Sequence, residues 1–157
     1  MAKNIIEIYI DGACSGNPGK SGYGIVLLFP TGDKIEVSEF IPSATNNQAE
    51  LAAAIAALRL LPDELDGFKI KVFSDSNYIV KGITEWLKDW KENDWVTKRG
   101  PLKNKPMWEE LENICEGKDI EWSWVKGHSD NEYNSRCDEL ATAAVKDGKG
   151  VYNKIAP

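Results

Sequence analysis

Four acidic residues carry the chemistry legible in this chain: Asp11, Glu50, Asp75 and Asp138. Asp11 follows the alternating run Ile6, Ile8, Ile10 and opens a loop holding Gly12, Gly16, Asn17, Pro18 and Gly19. A carboxylate where a strand meets a glycine-rich loop is expected at the carboxyl edge of a sheet, where α/β proteins place ligands. Asp75 stands in the same situation after the run FKIKVF. Glu50 and Asp138 fall beside the apolar faces of two helical runs, at 100° per residue. Each acid also has an ordinary alternative as a turn former, N-cap or solvated helix residue. Their convergence would be costly, because two like charges ~4 Å apart repel by about 4 kcal/mol at an effective dielectric of 20. Protons or cations must then compensate. His128 is the single histidine, and Cys14, Cys115 and Cys137 are scattered without a CxxC pair, which disfavours a soft-metal site. Oxygen ligands select Mg²⁺ or Mn²⁺, and two such ions suit phosphodiester cleavage.

The elements that must position these acids follow from periodicity. Residues 5–10, Gly22–Phe29 and Lys34–Ile41 read as three strands joined by short connections, an antiparallel meander that Pro42 ends. Thr45 and Gln48 form a capping box ahead of an alanine-rich helix with Leu51, Ile55 and Leu58 on one face, closed by Pro62. A fourth strand, Phe68–Phe73, comes after a helical crossover and should lie parallel to the first, so Asp11 and Asp75 should share one edge. Ser76 or Asp75 can cap a helix from Asn77 to about Leu87, and Pro106 can open another to about Glu116. Residues 120–125 read as the fifth strand, with Trp122 and Trp124 expected to pack in the core. A last helix, with Ser129 and Glu132 as a second possible capping box, buries Cys137, Leu140, Ala141 and Ala144. The weakly patterned tail from Gly148 is expected to be mobile.

With 157 residues, 42% apolar and 28% charged, the chain suits a single globular domain across residues 1–157. Neither a signal peptide nor a span of ~18 apolar residues is seen, and the odd, scattered cysteines point to reduced thiols and the cytoplasm. A net charge of −6 argues against a nucleic-acid partner until its distribution is considered. Residues 86–108 hold six cations against three anions and four of the six tryptophans, while the remainder holds 13 cations against 22 anions. A basic segment interleaved with aromatics on an acidic background is the feature that points to nucleic acid.

The motifs DGACSGNPG (11–19), TNNQAEL (45–51), SDSNY (74–78) and WVKGHSDNEYNSRCDELA (124–141) together resemble type 1 ribonuclease H of the bacterial ribonuclease HI group, in order and spacing over about residues 4–147. The resemblance implies an α/β, ribonuclease H-like fold: a five-stranded mixed sheet, three antiparallel strands then two parallel, flanked by helices. It implies hydrolysis of the RNA strand of RNA–DNA hybrids, leaving 5′-phosphate and 3′-hydroxyl ends, by a monomer with two Mg²⁺ or Mn²⁺ ions. The four carboxylates map to the family's metal ligands, and His128 to its loop histidine, with a role in proton transfer or product release. Residues 86–108 resemble the family's basic protrusion, in which Lys98, Arg99 and Lys103 would grip the DNA strand. Asn17, Asn46, Asn47 and Asn77 would contact the minor groove, Thr45 with Asn17 the DNA phosphate, and Trp86 a deoxyribose. Cys14 and Trp108 are also placed among the substrate contacts. Two departures, Asn77 where many relatives carry glutamine and Ser43 where well-known relatives carry arginine, would weaken or shift binding. Two other readings share these features: a non-catalytic hybrid-binding module, which four converging carboxylates would hinder, and a two-metal nuclease acting on DNA.

Overall fold

The computed structural model of this protein describes residues 4–127 and 131–157. Its centre is a sheet in which β1 (Ile5–Gly16), β2 (Gly19–Leu28) and β3 (Lys34–Ala44) form an antiparallel meander. β4 (Lys69–Ser74) lies parallel to β1, and β7 (Asp119–Trp124) parallel to β4. A two-stranded hairpin, β5 (Val96–Thr97) with β6 (Gly100–Pro101), stands apart from the main sheet.

The alternation in β1 separates two cores. Ile6, Ile8 and Ile10 face a large cluster with helix α1 (Asn46–Arg59) and helix α4 (Lys105–Cys115), while Tyr9 faces Val26, Cys137 and Leu140 on the other side. That second side is covered by α5 (Glu132–Asp147). β2, buried along most of its length, lies between α1 and α5, which is why it reads as a continuous apolar run. α5 sits unusually close to β2 because Gly24 has no side chain; a Cβ there would lie 2.2 Å from the Cys137 carbonyl oxygen.

Several expectations are corrected. The tail expected to be mobile supplies a sixth strand, β8 (Tyr152–Ile155), so the sheet is ordered β7-β4-β1-β2-β3-β8. β8 pairs antiparallel with β3, Val37 opposite Tyr152 and Lys34 opposite Ile155. None of its four residues is buried, so no burial pattern announces it, and its backbone pairing with β3 defines it. β1 does not end at Asp11 but continues through Gly16 in register with β2. Nor does Pro42 end β3: the β2–β3 register shifts between Gly19 and Ser21, and this irregularity accommodates the missing proline N–H. The helix expected from Asn77 is three pieces: α2 (Asn77–Lys81), a π-helical turn (Gly82–Trp86) and α3 (Leu87–Glu92). The N-cap of α5 is Asn131, whose Oδ1 accepts from the Tyr133 and Asn134 N–H groups at 3.0 Å; Ser129 lies outside the described residues. Among the described residues no helix is long and apolar enough to cross a membrane.

Candidate active site

The parallel registers decide where the acids meet. β1 and β4 pair up to Ile10 opposite Ser74, and β4 and β7 up to Ser74 opposite Trp124. Asp11 and Asp75 are the next residues on neighbouring strands. Beyond this point β1 continues with β2 alone, so the Asp75 edge opens into a cavity of about 370 Å³. Asp11, Gly12, Glu50, Asp75, Asn134 and Asp138 are among the residues lining it.

Glu50 is delivered from the first turns of α1, whose start is fixed by the expected capping box. Thr45 Oγ1 accepts from the Gln48 N–H at 3.1 Å, and Gln48 Oε1 accepts from the Thr45 N–H at 3.0 Å. The Gly12 N–H donates to Glu50 Oε1 at 2.9 Å and so ties the helix to β1. Carboxylate oxygens of Asp11, Glu50 and Asp75 lie within 4.8 Å of one another. Asp138 faces the same cavity from α5 without being a member of that trio. Burial raises the Asp11 carboxyl above the usual carboxylate range, and the charges of Glu50, Asp75 and Asp138 raise it further. Burial also raises Glu50, with Asp75 adding to it and the Gly12 N–H opposing. Glu50 Oε2 is buried without a hydrogen-bond partner among the described residues. Electron-rich oxygens held together, one lacking a donor, fit a hard divalent cation. The Arg136 guanidinium, on the same helix as Asp138, is bound to Glu36 and not to these acids.

A second cavity, about 770 Å³, lies between the N-terminus of α1 and the basic hairpin. It is lined by Asn17, Thr45, Asn46, Asn47, Arg99 and Lys103, six of the expected substrate contacts, along with Gln48, Tyr78 and Asn104. Asn17 Oδ1 accepts from the Asn46 N–H at 3.0 Å, holding the β1–β2 turn against α1. Asn77 is exposed at the start of α2, and Lys98 is exposed at the hairpin; neither lines either of these two cavities. Trp86 is 38% exposed, its ring 6.0 Å from that of Trp90. His128 lies outside the described residues.

Two expected contacts, Trp108 and Cys14, line neither of these cavities. Trp108 is fully buried, its indole N–H donating to the Tyr78 hydroxyl at 2.9 Å. It packs flush on Gly82, where a Cβ would come within 2.2 Å of the ring. A large ring beside a glycine in the core is packing, not a nucleic-acid contact. The Cys14 thiol lies among Ser21 Oγ and the carbonyl oxygens of Gly16 and Ala44, and its side chain does not line the second cavity. Trp124, expected in the core, is 49% exposed and donates its indole N–H to the Asp75 carbonyl at 3.0 Å. Asn134 carries no mark of function in its residue type, yet it is buried in the cavity wall four residues before Asp138, the helical spacing that puts both on one face.

A family profile described as RNase H matches residues 3–146. The chain is 46% identical over 143 residues to a ribonuclease H of Acetivibrio thermocellus, covering 90% of this chain and 95% of that protein. Among solved structures, LC9-RNase H1, described as a type 1 RNase H with the type 2 active-site motif, superposes with a TM-score of 0.83 at 30% identity, covering 96% of this chain and 78% of that one. LC11-RNase H1 in complex with an RNA/DNA hybrid superposes with a TM-score of 0.67 at 27% identity, covering 91% and 98%.

Proposed function

This chain belongs to the RNase H family, and on that premise we propose that it hydrolyses the RNA strand of RNA–DNA hybrids with divalent cations held by Asp11, Glu50, Asp75 and Asp138. The observation that carries the reading is the trio of carboxylates within 4.8 Å, with Glu50 Oε2 unpartnered beside them. Two Mg²⁺ ions bound there, or Mn²⁺ in their place, would activate the attacking water and stabilise the leaving 3′ oxygen, giving 5′-phosphate and 3′-hydroxyl ends.

The chain's own residues do the rest. The Gly12 N–H holds Glu50 in its rotamer, and the Trp124 indole holds the Asp75 backbone, so the ligands are set before substrate arrives. Asn46 and Asn47 present short groups that both donate and accept beside the cavity, as recognition of a 2′-hydroxyl or a minor-groove base edge requires. Arg99 and Lys103 on the opposite wall supply cations for the phosphates of the DNA strand, with Lys98 nearby on the hairpin. Trp86, partly exposed, offers a flat apolar face for a sugar. His128 is assigned to proton transfer or product release, and the chain is read as a monomer acting in the cytoplasm.

Incubating the protein with hybrid, double-stranded DNA and double-stranded RNA over a Mg²⁺ and Mn²⁺ titration tests the reading. Cleavage of the hybrid's RNA alone is expected, abolished in Asp75→Asn with folding retained. Cleavage persisting in Asp75→Asn would sink the assignment. Binding without cutting would leave only a hybrid-binding module, and cutting of DNA would make it a nuclease of another class.

A further inference from the structure

Between the N-terminus of α1 and the exit of the basic hairpin, four polar side chains form an unbroken relay. Gln48 Oε1 accepts from the Thr45 N–H, and its Nε2 donates to Asn104 Oδ1 at 3.1 Å. Asn104 Nδ2 donates to the Tyr78 hydroxyl at 3.3 Å, and the Trp108 indole N–H donates to that hydroxyl at 2.9 Å. The orientations are chemically forced. Flipping Gln48 would set its NH₂ against the Thr45 N–H, donor to donor, so the capping box dictates which end faces Asn104. Asn104 has a left-handed backbone, φ 64°, and its carbonyl accepts from the Met107 and Trp108 N–H groups to start α4. It directly follows Lys103 and comes four residues after the β5–β6 turn closes at Gly100. Wherever Asn104 is held, the hairpin's cations follow.

We propose that Gln48 is a positioning residue that sets the spacing between the DNA-gripping hairpin and the catalytic carboxylates. It stands two residues before Glu50 on α1, so one side chain joins the helix that supplies a metal ligand to the segment that supplies the phosphate grip. A hybrid held on Arg99 and Lys103 then reaches Glu50 in one register. This rests on the hybrid-cleavage reading above.

The discriminating variant is Asn104→Gly, because glycine suits the left-handed backbone at φ 64° and leaves the capping box intact, while the partner of Gln48 Nε2 is removed. Its KM for hybrid is expected to rise about threefold to tenfold, the fold-change of one neutral hydrogen bond, with kcat within about twofold. Tyr78→Phe should give a similar rise, and the double variant should fall short of the product of the two. In Asn104→Gly, hydrogen exchange should quicken at the Thr97, Gly100 and Leu102 amides and stay unchanged along β1 and β2. An unchanged KM in both variants with the wild type active would overturn the proposal. So would a KM rise confined to Asn104→Gly with unchanged hairpin exchange, which would mark loss of a direct substrate contact. If the wild type cuts no hybrid, the activity reading has failed, and the exchange experiment still decides the tether: unchanged hairpin exchange refutes it.

Discussion

Asp11 and Glu36 are equally buried, each 5% exposed, yet the fold treats them in opposite ways. Glu36, on β3, receives Arg136 Nε at 2.9 Å on one oxygen and Nη2 at 3.0 Å on the other, and hydrogen bonding to that guanidinium holds its carboxyl below the usual range. Asp11, on the neighbouring part of the sheet, is pushed up by burial and by three other acids. Arg136 and Asp138 are two residues apart on α5, so one helix delivers a counter-charge to β3 and withholds it from the cavity. The contrast separates the two acids better than burial alone: a buried carboxylate matched by a guanidinium is structural, and one raised by burial and by neighbouring acids is of the kind found at functional sites.

The sharpest way to break the comparison is Asp11→Asn. Turnover on hybrid should fall by roughly 10²–10³-fold or more, the scale of losing one preorganised charged group at a reacting centre. The same variant should melt higher than wild type at pH 8 without metal, because a raised folded pKa means stability that is full below the ordinary carboxylate range and lost as pH rises through the folded value. Scanning calorimetry against pH checks this, and equal melting temperatures would contradict it. Adding Mg²⁺ should raise the wild-type melting temperature at pH 8 and barely move that of Asp11→Asn.

Glu36→Ala should act in the other direction. Breaking the pair should cost roughly 1–3 kcal/mol at neutral pH, discounted from fully buried pairs because the Arg136 side chain is 40% exposed. Glu36 has a depressed folded pKa, so its contribution is present above the ordinary carboxylate range and lost as pH falls through the folded value. The difference between wild type and Glu36→Ala should therefore shrink in acid, where that between wild type and Asp11→Asn should shrink as well, but from the opposite sign. The smallest effect concerns the basic hairpin. Neutralising Lys98, Arg99 and Lys103 should raise KM and reduce the salt slope by up to about 0.7–0.9 for each phosphate that no longer meets a cation, with kcat little changed. An unaltered slope would remove these residues from the grip.

Much of this architecture is legible in the order of residues. The capping box at Thr45 and Gln48 is local chemistry, and both of its hydrogen bonds form. Alternation in β1 and the apolar run of β2 announce two covered faces, and strand–helix–strand order places Asp11 and Asp75 on one edge. What escapes such a reading is carried by backbone or by close packing. β8 pairs through main-chain groups and buries none of its four side chains, so its residues hold no period to read. Trp108 sits in a tryptophan- and lysine-rich segment that has the composition of a nucleic-acid contact, but Gly82 and Tyr78 draw it into the core. Trp124 does the reverse, leaving its strand face half exposed to cap the Asp75 carbonyl.

By itself, the order of residues determined which groups could bind a hard cation and which elements would carry them, because residue type and local periodicity are properties of short stretches. Only the tertiary structure decided which acid receives the guanidinium and which acids are gathered together. Whether Arg136 reaches Glu36 or the cavity depends on how α5 lies against β2 and β3, and that seating is set by close approaches such as Gly24 against Cys137, residues far apart in the chain.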